Sequence, residues 1–208
     1  MYFDFSTTSD AARSKFLHSA IVPRPIAWVS SLDAAGRPNL APFSFFNVFS
    51  TEPPILGLGI GKRQPGEPKH TARNILETEE FVVNLVDYAC RAAMNVTGTD
   101  VEDGVDESAL ADLDMCVSSK VAPNRVADSP VAFECVLHQA IELASDRHLI
   151  LGRIVAMHID ERFLTHSPSG DFHILTPELD LIGRMHGNGW YTRTDHLFQM
   201  LRLKPDAL

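Results

Sequence analysis

Apolar residues recur with period two along much of the chain and only briefly with the spacing of a helix. The longest alternation is in segment 131–143. There Val131, Phe133, Cys135, Leu137, Gln139, Ile141 and Leu143 share one face, while Glu134, His138 and Glu142 mark the other. This pattern predicts a strand with a core side and a wetter side. In segment 149–159 both faces are largely apolar, which predicts a strand buried on both sides or lying at an interface. Asp146-Arg147 between them marks a hairpin. Shorter strands are predicted over 25–31, 55–60 and 81–86. Segment 37–50, polar and then aromatic, reads as one strand pairing back on 25–31 across the turn Asp33-Ala34-Ala35-Gly36, with Pro38 and Pro42 limiting its ladder.

Helical spacing is confined to short stretches. Segment 10–18 predicts a helix with Asp10 as N-cap and Phe16 and Leu17 facing inward. Segment 69–77 carries Ala72, Ile75 and Leu76 at helical intervals, and 89–113 reads as helical or irregular. The acids between Asp100 and Glu107 have no EF-hand spacing and read as a solvated loop. No repeat or linker divides the chain. Many strands, short helices and hairpin-like spacing imply one mainly β domain, an antiparallel barrel with helical attachments.

Composition narrows the function classes. With 208 residues, 45% hydrophobic and 22% charged, the chain has ample material for a core. A net charge of −9 argues against nucleic acid and anionic membrane surfaces as partners, while leaving room for a local basic pocket. Cys90, Cys116 and Cys135 form no C-x-x-C pair and read as free thiols in a reducing compartment. The first residues lack the pattern of a signal peptide and no apolar run is long enough for a bilayer, so a cytoplasmic location is expected.

Candidate chemistry is local. P-loop, H-E-x-x-H and G-x-S-x-G motifs are absent, and the nine histidines show no metal-ligand spacing, so no metal site is expected. Gly57, Gly59 and Gly61 alternate along a strand and lack the spacing and following helix of a dinucleotide fingerprint. They clear one strand face for a neighbouring backbone, an aromatic side chain or a flat cofactor ring. Lys62, Arg63, Lys69, His70, Thr71 and Arg73 cluster around a strand exit and a helix start. That is either a solvated basic loop or the donor set a phosphate monoester needs. Ser44 and Asn47 sit among Phe43, Phe45 and Phe46, where buried polar groups need partners such as the polar edges of a heterocycle.

Taken in order, these stretches resemble the flavin reductase family of FMN-binding split β-barrels, which includes flavoredoxin-like proteins. The resemblance is carried by Pro23-Arg24-Pro25-Ile26-Ala27-Trp28-Val29-Ser30-Ser31, by Asn39 to Asn47, by Lys69-His70-Thr71-Ala72-Arg73-Asn74-Ile75, by Phe81-Val82-Val83-Asn84, and by Gly183-Arg184-Met185-His186-Gly187. It implies a six-stranded split barrel, a tight homodimer and one FMN per subunit near the interface, with FAD as the alternative flavin. By the same resemblance Ser44, Arg63, Lys69 and Thr71 bind the phosphate and ribityl chain, Phe45 and Asn47 line the isoalloxazine, and Arg184 belongs to the cofactor site. Asp146-Arg147-His148 is similar to a turn near the nicotinamide side, which makes His148 the catalytic candidate. His70 stands where the family has aspartate, which bears on how Arg73 is held, and His186 where it often has glycine, which narrows access to the ring. The implied activity is hydride transfer from NADH or NADPH through the flavin to free flavin or another acceptor, with a partner monooxygenase as one destination. The alternative on the same barrel is a non-catalytic FMN-binding electron carrier or sensor module.

Overall fold

The structure is a computed structural model that describes residues 1–61, 68–144, 147–167 and 169–204. In chain order the elements begin with α1 (Asp10–Ala20), β1 (Arg24–Pro25), β2 (Ala27–Leu32), β3 (Pro38–Phe43), β4 (Phe46–Thr51) and β5 (Pro54–Ile60). They continue with α2 (His70–Thr78), β6 (Glu80–Leu85), α3 (Arg91–Val96), α4 (Glu107–Leu110), β7 (Met115–Cys116) and β8 (Arg125–Val126). The long strands β9 (Val131–Ala144) and β10 (Arg147–Ile159) follow, then β11 (Leu164–His166), β12 (Phe172–Ile174), β13 (Ile182–Arg184) and β14 (Tyr191–Arg193).

Seven strands form one antiparallel sheet in the order β3-β2-β6-β9-β10-β5-β4. The two edge strands are consecutive in sequence, joined only by Ser44 and Phe45, so the sheet curls into a barrel that ladder bonds do not close. Segment 37–50 therefore supplies two strands where the pattern predicted one. The split raises the strand count of the main sheet from the implied six to seven. Pro38 and Pro42 fit because β3 is an edge strand, so their missing N–H groups break no ladder bond. Segment 25–31 also divides: Arg24 and Pro25 pair with Arg184 and Gly183 in a small β1-β13-β14 sheet, and Ala27 opens the barrel strand.

Strand β2 is buried on both faces. Ala27 and Val29 point into the barrel with Phe43, Leu56, Leu58, Ile60, Phe81, Val83, Cys135 and Ile150, and α2 adds Ala72 and Ile75 to that core. Trp28 faces the other way, into a second core with Leu40, Val86, Met94 and Ile182. This two-sided burial is why 25–31 reads as an apolar run rather than an alternation.

Two of the three glycines expected to clear a face do so for aromatic side chains, whereas a Cβ on Gly61 would meet nothing within 4 Å. A Cβ on Gly57 would lie 2.5 Å from a Phe49 ring carbon, and one on Gly59 would lie 3.0 Å from the Phe45 Cβ. Gly152 of β10 lies under Phe81, where a Cβ would come within 2.3 Å of the ring.

Three expectations need correction. The alternation of β9 breaks at His138, an extra residue between the pairs Gly152↔Leu137 and Leu151↔Gln139. Beyond this bulge the faces exchange: Ala140 packs on the core, while Ile141 and Leu143 turn outward. Strand β10 is not buried on both faces, since Met157 and Arg153 are exposed in the single chain and Leu149 and Leu151 are half-buried. In α1 the N-cap is Ser9, whose hydroxyl accepts from Ala12 N–H, and Leu17 is exposed while Phe16 is half-buried against Phe3.

Glu134, on the face expected to be wetter, is fully buried. It accepts from the backbone N–H groups of Ser119 and Lys120 and is paired with His158. Burial alone would raise its pKa, but the Ser119 N–H, His158 and Lys120 N–H bonds outweigh that and hold the carboxyl below 4.5. A depressed folded-state value means Glu134 stabilises the fold fully above its unfolded-state value, and that contribution is lost as pH falls through the folded one. Glu134→Gln should cost about 2 kcal/mol at neutral pH, because the amide accepts at one end only. Denaturant melts should show the gap between variant and parent narrowing as pH falls below the ordinary glutamate range. Gly152→Ala should cost about 1–3 kcal/mol by overpacking against Phe81, read from the same melts.

Candidate functional site

Three hollows adjoin along β3, β4, α2, α3 and β13–β14. The first, about 90 Å³, is lined by Asn39, Ala41 and Pro42 of β3, Lys69, His70 and Thr71 of α2, and Thr97 to Val101 with Glu107. Helix α2 forms because its apolar residues fall on one face, burying Ala72 and Ile75, and because Glu79 in left-handed conformation ends it. Lys69 sits at its N-cap position without a side-chain capping bond, and with His70 and Thr71 it brings the start of the helix to the wall of this hollow. Across from it, Thr97 is fixed at the end of α3: its hydroxyl accepts from the Trp28 indole N–H at 2.8 Å and donates to the Met94 carbonyl at 2.9 Å.

A second hollow of about 130 Å³ shares Pro42 with the first and is lined by Ile26, Phe43, Ser44, Met94, Arg184 and Tyr191. The third, about 370 Å³ and mainly apolar, shares Ile26 and is lined by Pro23, Arg24, Phe46, Asn47, Leu181 and Gly183 among others. The sequence-derived residues therefore fall on three adjoining hollows: Lys69 and Thr71, then Ser44 and Arg184, then Asn47. Phe45 stands half-exposed at the corner, its ring 5.2 Å from His18 and 5.9 Å below the Arg24 guanidinium. Arg184 lies over the Tyr191 ring and donates to the Gly187 carbonyl.

His148 lines none of these hollows. It stands on β10 opposite Ile60, half-buried, with Nδ1 buried and lacking a hydrogen-bond partner among the described residues. Arg63 and Lys62, and the Ser145-Asp146 part of the expected turn, lie outside the described residues. The acidic stretch is not simply solvated. Asp103 takes a 2.9 Å bond from Arg73 and lies 3.7 Å from His70, while buried Glu107 accepts from Leu40 N–H. The Arg73 bond lowers the Asp103 pKa, and Asp103 raises that of Arg73. That pairing answers how Arg73 is held where His70 replaces the family aspartate. His186 is exposed and stacks on Trp190.

Sequence reasoning missed Arg24 as a site organiser, although it was in view within Pro23-Arg24-Pro25. Its guanidinium is buried and donates to the carbonyls of His18 (2.8 Å), Ile21 (2.7 Å) and Met185 (3.2 Å) and to Ser44 Oγ (3.3 Å). Burial and the nearby Arg184 charge lower its pKa. Thr97-Gly98-Thr99 was also missed, since a hydroxyl-rich turn after a short helix carries no signal until the fold brings it opposite α2. Among the described residues no group of three or more His, Cys, Asp or Glu side chains is placed to hold a metal ion. No described helix is long and apolar enough to cross a membrane. The buried thiols are shifted upward by desolvation, Cys90 to about 12.

The curled antiparallel barrel and its edge hollows define a mainly β protein with clefts of ligand size. The chain belongs to the flavin reductase family: the model described as flavin reductase like domain matches residues 18–174. An uncharacterised protein of Deinococcus radiodurans is 36% identical over 206 residues, covering 97% of this chain and 89% of its own. Among solved structures, nitrilotriacetate monooxygenase component B from Bacillus cereus aligns with a TM-score of 0.88 at 30% identity, covering 96% of this chain and 98% of its own. The 2-nitrobenzoate 2-nitroreductase of Pseudomonas fluorescens gives a TM-score of 0.88 at 28% identity, with 99% and 98% covered. The chain is thus of the flavin-related oxidoreductase kind and carries the family's split barrel.

Because Arg24 ties the end of α1, the corner at Ser44 and the loop after β13 together, Arg24→Lys should lower stability by about 2 kcal/mol or more, an ammonium being unable to span four acceptors. Thermal and denaturant unfolding of the purified variant checks this.

Proposed function

We propose that the protein is an FMN-dependent NAD(P)H oxidoreductase that acts as a homodimer, passing electrons to free flavin or another small acceptor. The observation that carries this reading is the first hollow, where Lys69, Thr71 and the start of α2 face Thr97-Gly98-Thr99 in a chain of this family. At about 90 Å³ it has room for a phosphate group and none for a tricyclic ring. Its donor set, an ammonium, hydroxyls and helix-start N–H dipoles, fits a phosphate monoester.

On this reading Lys69 and Thr71 hold the phosphate, with Arg63 joining them. Ser44 and Arg184 follow along the ribityl chain, and Phe45 and Asn47 border the ring. When bound, the flavin supplies the hydride and electron chemistry, so the protein's own residues need only bind, orient and exclude water. Arg24 fixes the Ser44 corner, and the Trp28–Thr97 bond fixes the opposite wall. His148 carries over only from the resemblance of its turn, as a residue on the nicotinamide side. Exposed Val48, Phe49, Leu143 and Met157 on β4, β9 and β10 support a second copy covering that side of the barrel. The monooxygenase component among the structural relatives supports an oxygenase as one acceptor partner.

An absorbance titration of the purified protein with FMN, followed by anaerobic NADH and then NADPH, tests the reading. Bound flavin that bleaches within seconds identifies the donor and supports turnover. Bound flavin that neither nucleotide bleaches identifies an electron carrier or sensor instead. Lys69→Ala with Thr71→Ala should weaken FMN binding by at least tenfold; unchanged affinity removes both residues from the site. His148→Ala should raise the KM for the nicotinamide nucleotide while leaving FMN affinity unchanged.

A further inference from the structure

Asn39 has no role in the site as described so far, yet it lines the same hollow as Lys69 and Thr71. Its side-chain amide Nδ2 donates to Thr71 Oγ1 at 3.0 Å, and both residues are buried. An NH2 group offers protons only, and a hydroxyl owns one proton and two lone pairs. Thr71 Oγ1 must therefore act as acceptor toward Asn39, and its own proton is directed elsewhere. Asn39 is the one hydrogen-bond partner of this hydroxyl among the described residues.

We propose that Asn39 is a positioning residue that sets the polarity of the Thr71 hydroxyl, so that Thr71 presents a proton to an anionic phosphate in the hollow. The proposal rests on the reading of that hollow as the phosphate end of the flavin site. It adds a reason for the site to choose a phosphorylated flavin over its unphosphorylated parent. A hydroxyl free to rotate spends part of its time presenting a lone pair to the anion, while one pinned by an amide donor does not.

A second bond of the same kind makes this a separable effect. Ser31 is the cross-strand partner of Asn39, and Asn74 lies one helical turn beyond Thr71. Asn74 Nδ2 donates to Ser31 Oγ at 3.2 Å, and both residues are buried. This rung, with Ala72 and Ile75 in the barrel core, holds α2 on the sheet without Asn39. Asn39 is thus free to govern hydroxyl direction rather than helix placement.

The test compares FMN with riboflavin, which differ only in the phosphate, by fluorescence titration of the flavin-free protein. The parent should prefer FMN. Asn39→Asp exchanges the amide for a carboxylate that takes the Thr71 proton and repels the phosphate. FMN affinity should fall about tenfold to a hundredfold, with riboflavin affinity held within about twofold. Thr71→Val should show the same selective loss, and Thr71→Ser should restore the preference. In the double variant Asn39→Ala with Thr71→Val the two losses should not add, since both remove one interaction; Asn39→Asp carries its own repulsion of the phosphate and stays out of this cycle. Should Asn39→Asp fail to fold by circular dichroism, Asn39→Ala replaces it, with a selective FMN loss of about fivefold or more. A variant that keeps the FMN-to-riboflavin ratio, or that loses both ligands in parallel, overturns the role of Asn39 while leaving the flavin site standing. A parent protein that binds the two flavins equally overturns the phosphate reading itself, and Asn39 with it.

Discussion

Strands in a sheet lie about 4.8 Å apart, so seven laid flat would hold the outer two about 29 Å apart. The chain between Phe43, the last residue of β3, and Phe46, the first of β4, has three Cα steps and reaches at most about 11 Å. These two strands are the opposite edges of the sheet. A flat sheet is therefore excluded by chain length alone, and the curled barrel follows from a two-residue corner. The corner also needs clearance. Gly59 supplies it, donating its N–H to the Phe45 carbonyl at 2.7 Å while the Phe45 Cβ occupies the space a larger residue would fill.

What the corner imposes on the backbone it also imposes on the clefts. Ser44 is brought under the Arg24 guanidinium, which reaches back to the end of α1 and forward to the loop after β13. Three segments remote in sequence are thereby held by one cation. The same curling leaves both faces of β2 covered, so Trp28 can project outward and fix Thr97 through its indole N–H. The walls of the first hollow thus descend from a core residue on one side and from a helix seated on the barrel on the other.

Much of this was legible in the chain. Period two identified β9, the apolar run of 149–159 identified β10, and the apolar residues of 69–77 identified α2 to within a residue of its ends. What escaped was non-local. Nothing in the alternation of 131–143 announces an extra residue at His138, because a bulge is decided by the partner strand and not by the strand itself. Glu134 looked solvent-facing because a carboxylate on a wet face is the ordinary case. Only the Ser119–Lys120 turn and His158, both brought in by tertiary contacts, give it reason to be buried. For the clefts, Ser44, Lys69 and Thr71 could be found by residue type at helix starts and strand ends. Thr97 and Asn39 could not, because what singles them out is what stands opposite them.

The acidic balance of the chain sharpens the chemistry of the first hollow. With a net charge of −9, the long-range field offers an anion no help, and screening leaves only charges within about a Debye length to matter. One nearby cation, Arg73, is already paired with Asp103, and the lining includes the carboxylates of Asp100 and Glu107. Among the described residues, then, surplus positive charge is not the basis on which this hollow would hold a phosphate. Glu107 gives up one lone pair to the Leu40 N–H and serves the fold. Among the described residues, what remains for an anion is a small set of donors: Lys69, the opening turn of α2 and the Thr71 hydroxyl. A site of that kind discriminates by direction rather than by charge, and the orientation of each donor carries more weight than the number of cations in the sequence.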